Sequence, residues 1–189
     1  MECSNCALMR LDPLPSSEEI KSFYPENYWR YADESALSWI GEMYRKLALR
    51  NHVHFISRAL NNAGPLLDIG CGSGSFVHAV QEKHMTAFGL DTSWKVAKMA
   101  TAQFCVPTCC GALPNLPFRQ GSFGIVTMFH VLEHVPNPMA CVCAISELLA
   151  PGGKLIVQVP NADCWQFLLL GEHWSGLDVP RHLTHFRAN

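Results

Sequence analysis

The chain has 189 residues, 49% of them hydrophobic and 16% charged. That is enough for one domain with a packed core, and too apolar for disorder over most of the length. Fourteen Lys and Arg against sixteen Asp and Glu leave a formal charge of −2, which excludes the broad basic field that sequence-independent nucleic-acid binding requires. No run approaches the roughly 18 apolar residues of a membrane span, and the start MECSNC has neither the basic nor the apolar region of a signal peptide. A cytoplasmic protein without nucleic-acid or membrane partners is expected. The nine cysteines are odd in number, and residues such as Cys71, Cys141 and Cys143 lie inside apolar segments. They are expected to be reduced thiols that pack as small hydrophobes.

Residues 1–34 read as an N-terminal appendage. They hold Cys3-Ser-Asn-Cys6, the corner residues Pro13 and Pro15, a Ser-Ser-Glu-Glu helix start at 16–19, and an aromatic cluster of Phe23, Tyr24, Tyr28, Trp29 and Tyr31. Residues 35–189 are expected to form the main domain. Apolar residues at Ala36, Ile40, Met43, Leu47, Val53, Ile56 and Leu60 have helical spacing, and Gly64 and Pro65 end that helix. Arg45, Lys46, Arg50 and Arg58 then read as its solvated face. Short apolar runs and helical segments alternate from there. Leu66–Ile69, Ala87–Asp91, Val106–Cys110, Phe123–Phe129 and Lys154–Val159 are expected strands, the last entered through a Pro151-Gly152-Gly153 turn. Helices are expected over 74–83, 93–103 and 138–149. Such alternation implies an α/β, Rossmann-like, doubly wound and mostly parallel sheet, with its ligand beyond the strand C-termini.

The strongest local signal is LLDIGCGSGSF at 66–76, after one expected strand and opening one expected helix. Glycines at 70, 72 and 74 remove Cβ atoms where the chain turns and where a ligand can approach the backbone. Asp91 ends the next strand, where a carboxylate can accept both hydroxyls of a ribose. A dinucleotide fingerprint needs GxGxxG, but its last position falls on Ser75 from Gly70 and on Val77 from Gly72. Asp68 before the loop repels a pyrophosphate and welcomes an ammonium. A ligand with ribose and amino groups fits better than a nicotinamide dinucleotide.

Together with GLDTS at 89–93, LPFRQGSFGIVTMFHVLEHV at 116–135 and LLAPGGKLIVQVPN at 148–161, this loop resembles the class I S-adenosylmethionine-dependent methyltransferases, bacterial small-molecule type. The resemblance covers about half the chain, with the motifs in the family's order. It implies S-adenosyl-L-methionine as cofactor. Asp68 and the loop Gly70, Cys71, Gly72 and Gly74 would hold its methionine part, Asp91 and Thr92 the ribose, Ala112 and Leu113 the adenine, and Phe129 with His130 the methionine end. Two departures stand out: the family often has Asp where Ala112 and Gly124 stand, so adenine is expected to be held by backbone and apolar contacts. Losing one hydrogen bond weakens binding by on the order of 1 kcal/mol.

Methyl transfer from a sulfonium is an in-line displacement that needs alignment in a dry site and, for a hydroxyl acceptor, a base. The candidates are His130 after the fourth sheet strand and His182 and His185 in WSGLDVPRHLTHF, a segment that resembles the substrate-side loop of a bacterial subset. His130, Glu133 and His134 also spell HxxEH, a zinc-protease pattern. It requires a helix, whereas a strand precedes it and Pro136 and Pro138 follow, so no metal is assigned there. Within the resembled family, quinone O-methyltransferases have a metal associated with acidic residues near this turn, so dependence on a divalent cation is a variant of the reading. Cys3 and Cys6 resemble the second half of a zinc ribbon, yet no second CxxC supplies the other two thiolates.

The resembled sheet has two further strands, a hairpin beside the fifth, which this sequence does not contain. Five strands in the order 3-2-1-4-5 are therefore expected. Strand 154–159 would be left as an apolar, uncapped edge that recruits other chains, so the 189 residues are expected to be part of a longer protein or to have this edge covered by another subunit. A monodisperse monomer in scattering measurements would count against the latter. Two further readings compete with a small-molecule methyltransferase: a degenerate, non-catalytic S-adenosylmethionine-binding module, and a nicotinamide-dependent oxidoreductase.

Overall fold

The structure, a computed structural model, describes residues 1–24, 38–59 and 64–188. In chain order its strands and α-helices are β1 (Met9–Arg10), α1 (Ser17–Ser22), α2 (Ser38–Ala59), β2 (Leu66–Ile69), α3 (Ser75–Gln81), β3 (Ala87–Asp91), α4 (Trp94–Phe104), β4 (Thr108–Cys110), β5 (Phe123–Phe129), α5 (Pro138–Leu148), β6 (Leu149–Gln158), α6 (Trp165–Leu170) and β7 (Thr184–His185). Contacts divide the described chain into two units, 45–131 with 137–158, and 1–44 with 132–136 and 159–189. β1 pairs antiparallel with β7, Met9 opposite His185, and this ladder ties the N-terminal segment to the C-terminal one.

The first unit is built on a parallel sheet of order β4-β3-β2-β5-β6, the expected 3-2-1-4-5 counted from its first strand. β2 and β5 lie inside the sheet and bury nearly every residue, as a strand covered on both faces must. Leu66, Val77, Val80 and Ile125 are fully buried in the core, each contributing about 1.5–3 kcal/mol by removal from water. Helix starts follow local chemistry. Ser93 caps α4 by accepting the Val96 amide, and Asn137 caps α5, with Pro138 placed where no amide is needed.

Four expectations are corrected. Pro151-Gly152-Gly153 is not a turn outside the strand but an irregularity within β6. The pairing steps from Phe123 opposite Leu149 to Ile125 opposite Lys154, and Gly152 adopts φ 79° to absorb the extra residues. Among the described side chains of α2, Val53 and Ile56 are buried, while Met43 and Leu47 are 59% and 46% exposed. Helical spacing marks a face but not whether anything covers it. Arg45, Lys46, Arg50 and Arg58 are exposed as expected. All nine cysteines are free, yet only Cys71 and Cys141 are buried. Cys143 is exposed because α5 turns Cys141, Ile145 and Leu148 inward and the residue two positions on outward. The third expected strand is shorter than read, Thr108–Cys110, and Val106 before it belongs to the core.

In the second unit Cys3 and Cys6 are exposed in a tight turn closed by the Ala7 amide on the Cys3 carbonyl, and amides of Asn5 and Cys6 hold the Cys3 thiol below its usual pKa. Ala36, Leu60 and the aromatics Tyr28, Trp29 and Tyr31 lie outside the described residues, as does the side chain of Ile40.

Candidate functional site

Because the five sheet strands run parallel, their C-termini open at one edge of the first unit, the place where such sheets bind ligands. Gly70 and Cys71 leave β2 with both amides donating to the Leu90 carbonyl, at 2.7 and 3.0 Å. The loop then turns through Gly72 at φ 53° to Gly74 at φ 80°. A Cβ on Gly74 would stand 2.8 Å from Val106 Cγ2 and 2.9 Å from Ala100 Cβ, so this position is required by packing. A Cβ on Gly72 would meet nothing within 4 Å, so the open, approachable backbone is there.

Two carboxylates flank the loop. Asp91 accepts the Gly72 amide at 3.2 Å on Oδ2 and the Ser93 amide at 2.9 Å on Oδ1, tying the end of β3 to the glycine turn. Burial raises its pKa even so, against those two amides. Asp68 is 4% exposed and accepts the Thr127 hydroxyl at 2.7 Å. Burial, with a smaller contribution from the Asp91 charge, pushes its carboxyl up to about 7, against the Thr127 hydrogen bond. The buried Cys71 thiol beside them is pushed up to about 12 by burial and by the same two carboxylates, and stays protonated. Thr92 is exposed, its carbonyl accepting from Cys110 Sγ. The Gly111 amide donates to the Asp91 carbonyl at 3.0 Å and so brings Ala112 and Leu113 to this edge. Thr127 carries no signal in the sequence, since it is one polar residue in an apolar strand.

Further along the same edge, Phe129 ends β5 and His130 follows at φ 56°. Phe129 stacks on His52 of α2 with ring centroids 4.2 Å apart and planes within 9°, and Phe76 meets it edge-on at 5.1 Å. Gln158, at the end of β6, lies between the two histidines: Oε1 is 2.6 Å from His52 Nε2, and Nε2 is 3.2 Å from His130 Nε2. Neither His52 nor Gln158 was legible as a site residue. The one signal for Gln158 was a polar residue closing an apolar strand in register with Phe129.

His182 and His185, the other two histidines expected to act, lie in the second unit and are buried, with ring centroids 6.2 Å apart. The His182 ring also meets His134 at 4.7 Å. The Gly176 carbonyl, 2.8 Å from His182 Nδ1, and the Arg181 carbonyl, 3.0 Å from His134 Nδ1, can only accept, so both rings carry a proton on Nδ1. His182 Nε2 lies 3.8 Å from Asp178 Oδ2 and 4.0 Å from Glu133 Oε1. The Tyr24 hydroxyl is 2.9 Å from His134 Nδ1, which places one of the expected aromatics in this cluster. Burial lowers the pKa of His134, and burial with the neighbouring His182 lowers that of His185. HxxEH is not a helical motif here: Leu132–His134 is a single 3-10 turn and His130 is left-handed.

This fold and this edge define a class I S-adenosylmethionine-dependent methyltransferase, and the family model described as "Methyltransferase domain" matches residues 41–189. The chain belongs to that family. It is 36% identical over 110 residues to a ubiquinone biosynthesis O-methyltransferase of Idiomarina loihiensis, a match covering 55% of this chain and 45% of the relative. It is 30% identical over 142 residues to one of Xanthomonas oryzae, covering 70% and 59%. The chain thus spans about half the length of the curated relatives it matches. A methyltransferase structure from Thermotoga maritima shares the fold, with TM-score 0.59 and 20% identity over 79% of this chain and 71% of that one.

Proposed function

We propose that the chain binds S-adenosyl-L-methionine at the open sheet edge and transfers its methyl group to a small-molecule hydroxyl, the O-methylation named for its relatives, with carbon acceptors as the variant. The observation that carries this reading is the approachable Gly72 backbone between two buried carboxylates. Asp68 faces the cofactor ammonium, the loop Gly70, Cys71, Gly72 and Gly74 its methionine part, and Asp91 with Thr92 its ribose hydroxyls. Ala112 and Leu113 take the adenine, and Phe129 with His130 border the sulfonium. A nicotinamide dinucleotide would place its pyrophosphate against Asp68. Nine free cysteines suit a reducing, cytoplasmic setting.

The displacement needs a base when the acceptor is a hydroxyl: the O–H bond breaks as methyl leaves sulfur, and the proton passes to an imidazole. His130, His182 and His185 are the candidates. His182 is the best oriented of the two in its unit, since the Gly176 carbonyl holds its Nδ1 proton and leaves Nε2 basic. Calorimetry is expected to register S-adenosylmethionine and not a nicotinamide dinucleotide. His130→Ala and His182→Ala are expected to lower turnover at least tenfold with cofactor affinity within about threefold. Unchanged turnover in both variants would remove histidine base catalysis. Binding without S-adenosylhomocysteine release from any acceptor would leave the non-catalytic module.

A second reading, a divalent cation, is favoured by one observation: Glu133, His134 and His182 each offer a ligand atom within 4.8 Å of the others. Both rings already donate Nδ1–H to a carbonyl, the outer-shell arrangement of metal-ligating histidines. A cation there would supply Lewis acidity. Metal analysis of purified protein and of His182→Ala is expected to show about one equivalent in the first and little in the second. A metal-free parent protein would end this reading.

A further inference from the structure

We infer that Cys3 and Cys6 form a thiol–disulfide exchange site, which a low-molecular-weight disulfide such as oxidised glutathione closes to an internal Cys3–Cys6 bond and a dithiol reopens. The turn that carries them is built to hold two sulfurs together. Glu2 bridges Met9 antiparallel, and the Cys3 amide donates to the Leu8 carbonyl at 2.9 Å. Ala7, left-handed at φ 53°, reverses the chain, and its amide closes the loop on the Cys3 carbonyl at 2.9 Å. β1 then anchors this hairpin to β7, with Met9 opposite His185. A turn closed from residue i+4 to residue i brings the side chains of i and i+3 together, as one turn of helix does. The Cys6 thiol accordingly donates a hydrogen bond to the Cys3 sulfur, and both residues are exposed. Beside them Cys6, Leu8, Phe186 and Arg187 line an open hollow of about 460 Å³, which has room for the chain of a small disulfide.

Cysteines that are close in sequence elsewhere are held apart. Cys109 and Cys110 are neighbours on β4 and leave opposite faces, with Cys110 Sγ donating to the Thr92 carbonyl. Cys141 is buried on α5 and Cys143 is exposed. In exchange the thiolate is the nucleophile. The successive amides of Asn5 and Cys6 donate to the Cys3 sulfur and, with the Cys6 thiol, hold its pKa below the usual value. Cys3 is therefore the attacking group and Cys6 the resolving one. In the first step the Cys3 thiolate attacks the small disulfide: its S–S bond breaks, a bond from Cys3 to one of its sulfurs forms, and the other sulfur leaves as a thiolate. Cys6 then loses its proton to water and attacks the Cys3 sulfur, forming the internal bond and expelling the second thiolate. Two electrons pass from the pair to the small disulfide, which takes up the two protons and ends as two thiols. Because the resolving thiol is already in place, the second step is intramolecular and the mixed disulfide does not accumulate.

Tryptic mapping of the full chain after exposure to oxidised glutathione at pH 7 tests this, since residues 1–10 end at Arg10 and carry these two cysteines and no other. That peptide is expected to lose two hydrogens with no glutathione attached, and to regain them in dithiothreitol. Alkylation of the reduced protein should label Cys3 at least about fivefold faster than the exposed Cys105 and Cys143. Cys6→Ser removes the resolving thiol, so one glutathione should stay trapped on Cys3. Cys3→Ser should leave Cys6 taking up glutathione at least about fivefold more slowly than Cys3 does in Cys6→Ser. A peptide 1–10 that stays reduced or stops at the mixed disulfide in the parent protein would overturn the exchange site. So would a Cys3 alkylated no faster than Cys105, or thiols that react only after a chelator strips a bound metal ion. Because the mapping and the rates come from the parent protein, a serine variant that fails to fold does not decide the result.

Discussion

Asp91→Ala is expected to weaken S-adenosylmethionine binding by about two orders of magnitude. A carboxylate accepting two ribose hydroxyls makes charged hydrogen bonds of about 1.5–3 kcal/mol each, and about 1.4 kcal/mol is a tenfold change in affinity. Part of the loss is indirect. Asp91 already accepts the Gly72 and Ser93 amides, and alanine would leave the glycine turn without its tie to β3. Asp91→Asn separates the two effects, because its single oxygen can keep one amide while losing the charge that both hydroxyls use. Isothermal titration should rank affinity as parent, Asn, then Ala. A fall of less than about threefold in Asp91→Ala would mean that the ligand does not engage this carboxylate.

Asp68→Asn is expected to do the opposite to stability and the same to binding. Burial raises the Asp68 carboxyl from 3.8 to about 7, so the folded state holds that proton more tightly than the unfolded chain. The stabilisation from this group is therefore complete below about pH 4 and is lost as pH rises through 7. At 1.36 kcal/mol per pH unit the loss is at most about 4 kcal/mol. Asparagine keeps an acceptor for the Thr127 hydroxyl and removes the buried charge. The cofactor-free variant should accordingly melt about 4–8 °C higher than the parent at pH 8, for about 2 kcal/mol regained in a chain of this size. Its melting temperature should fall less between pH 5 and 7 than that of the parent, because the Asp68 contribution is gone. The same change deletes the counter-charge of the cofactor ammonium, so affinity should drop as stability rises. A parent protein whose melting temperature changes across that interval just as the variant's does would show Asp68 to be ionised without penalty.

The opposed effects expected at Asp68 describe a site that is destabilising until filled. Two buried carboxylates beside a thiol that remains protonated suit a ligand bringing positive charge and hydroxyl donors. The trade of stability for binding is what functional sites commonly show.

Much of this was readable along the chain. The apolar runs of β2, β3 and β5 were visible because strands covered on both faces must be continuously apolar. Gly70, Gly72, Gly74, Asp68 and Asp91 were visible because a tight strand-to-helix turn and the end of the neighbouring strand constrain residue type at fixed spacing. What could not be read was anything set by distant partners. Thr127 matters only because β5 lies beside β2, and His52 only because α2 delivers its ring to Phe129. Cys143 and Met43 face solvent because helical spacing carries no information about what lies opposite. The assembly of His134 and His182 with Glu133 likewise came from chain folding between residues nearly fifty positions apart. Local backbone demands are written into single residues and short spacings, so the sequence alone determined the parallel α/β class, the glycine turn and its two carboxylates. Side-chain neighbourhoods depend on which elements pack together, so only the tertiary structure decided the Gln158 bridge, the buried state of Asp68 and the company of each histidine.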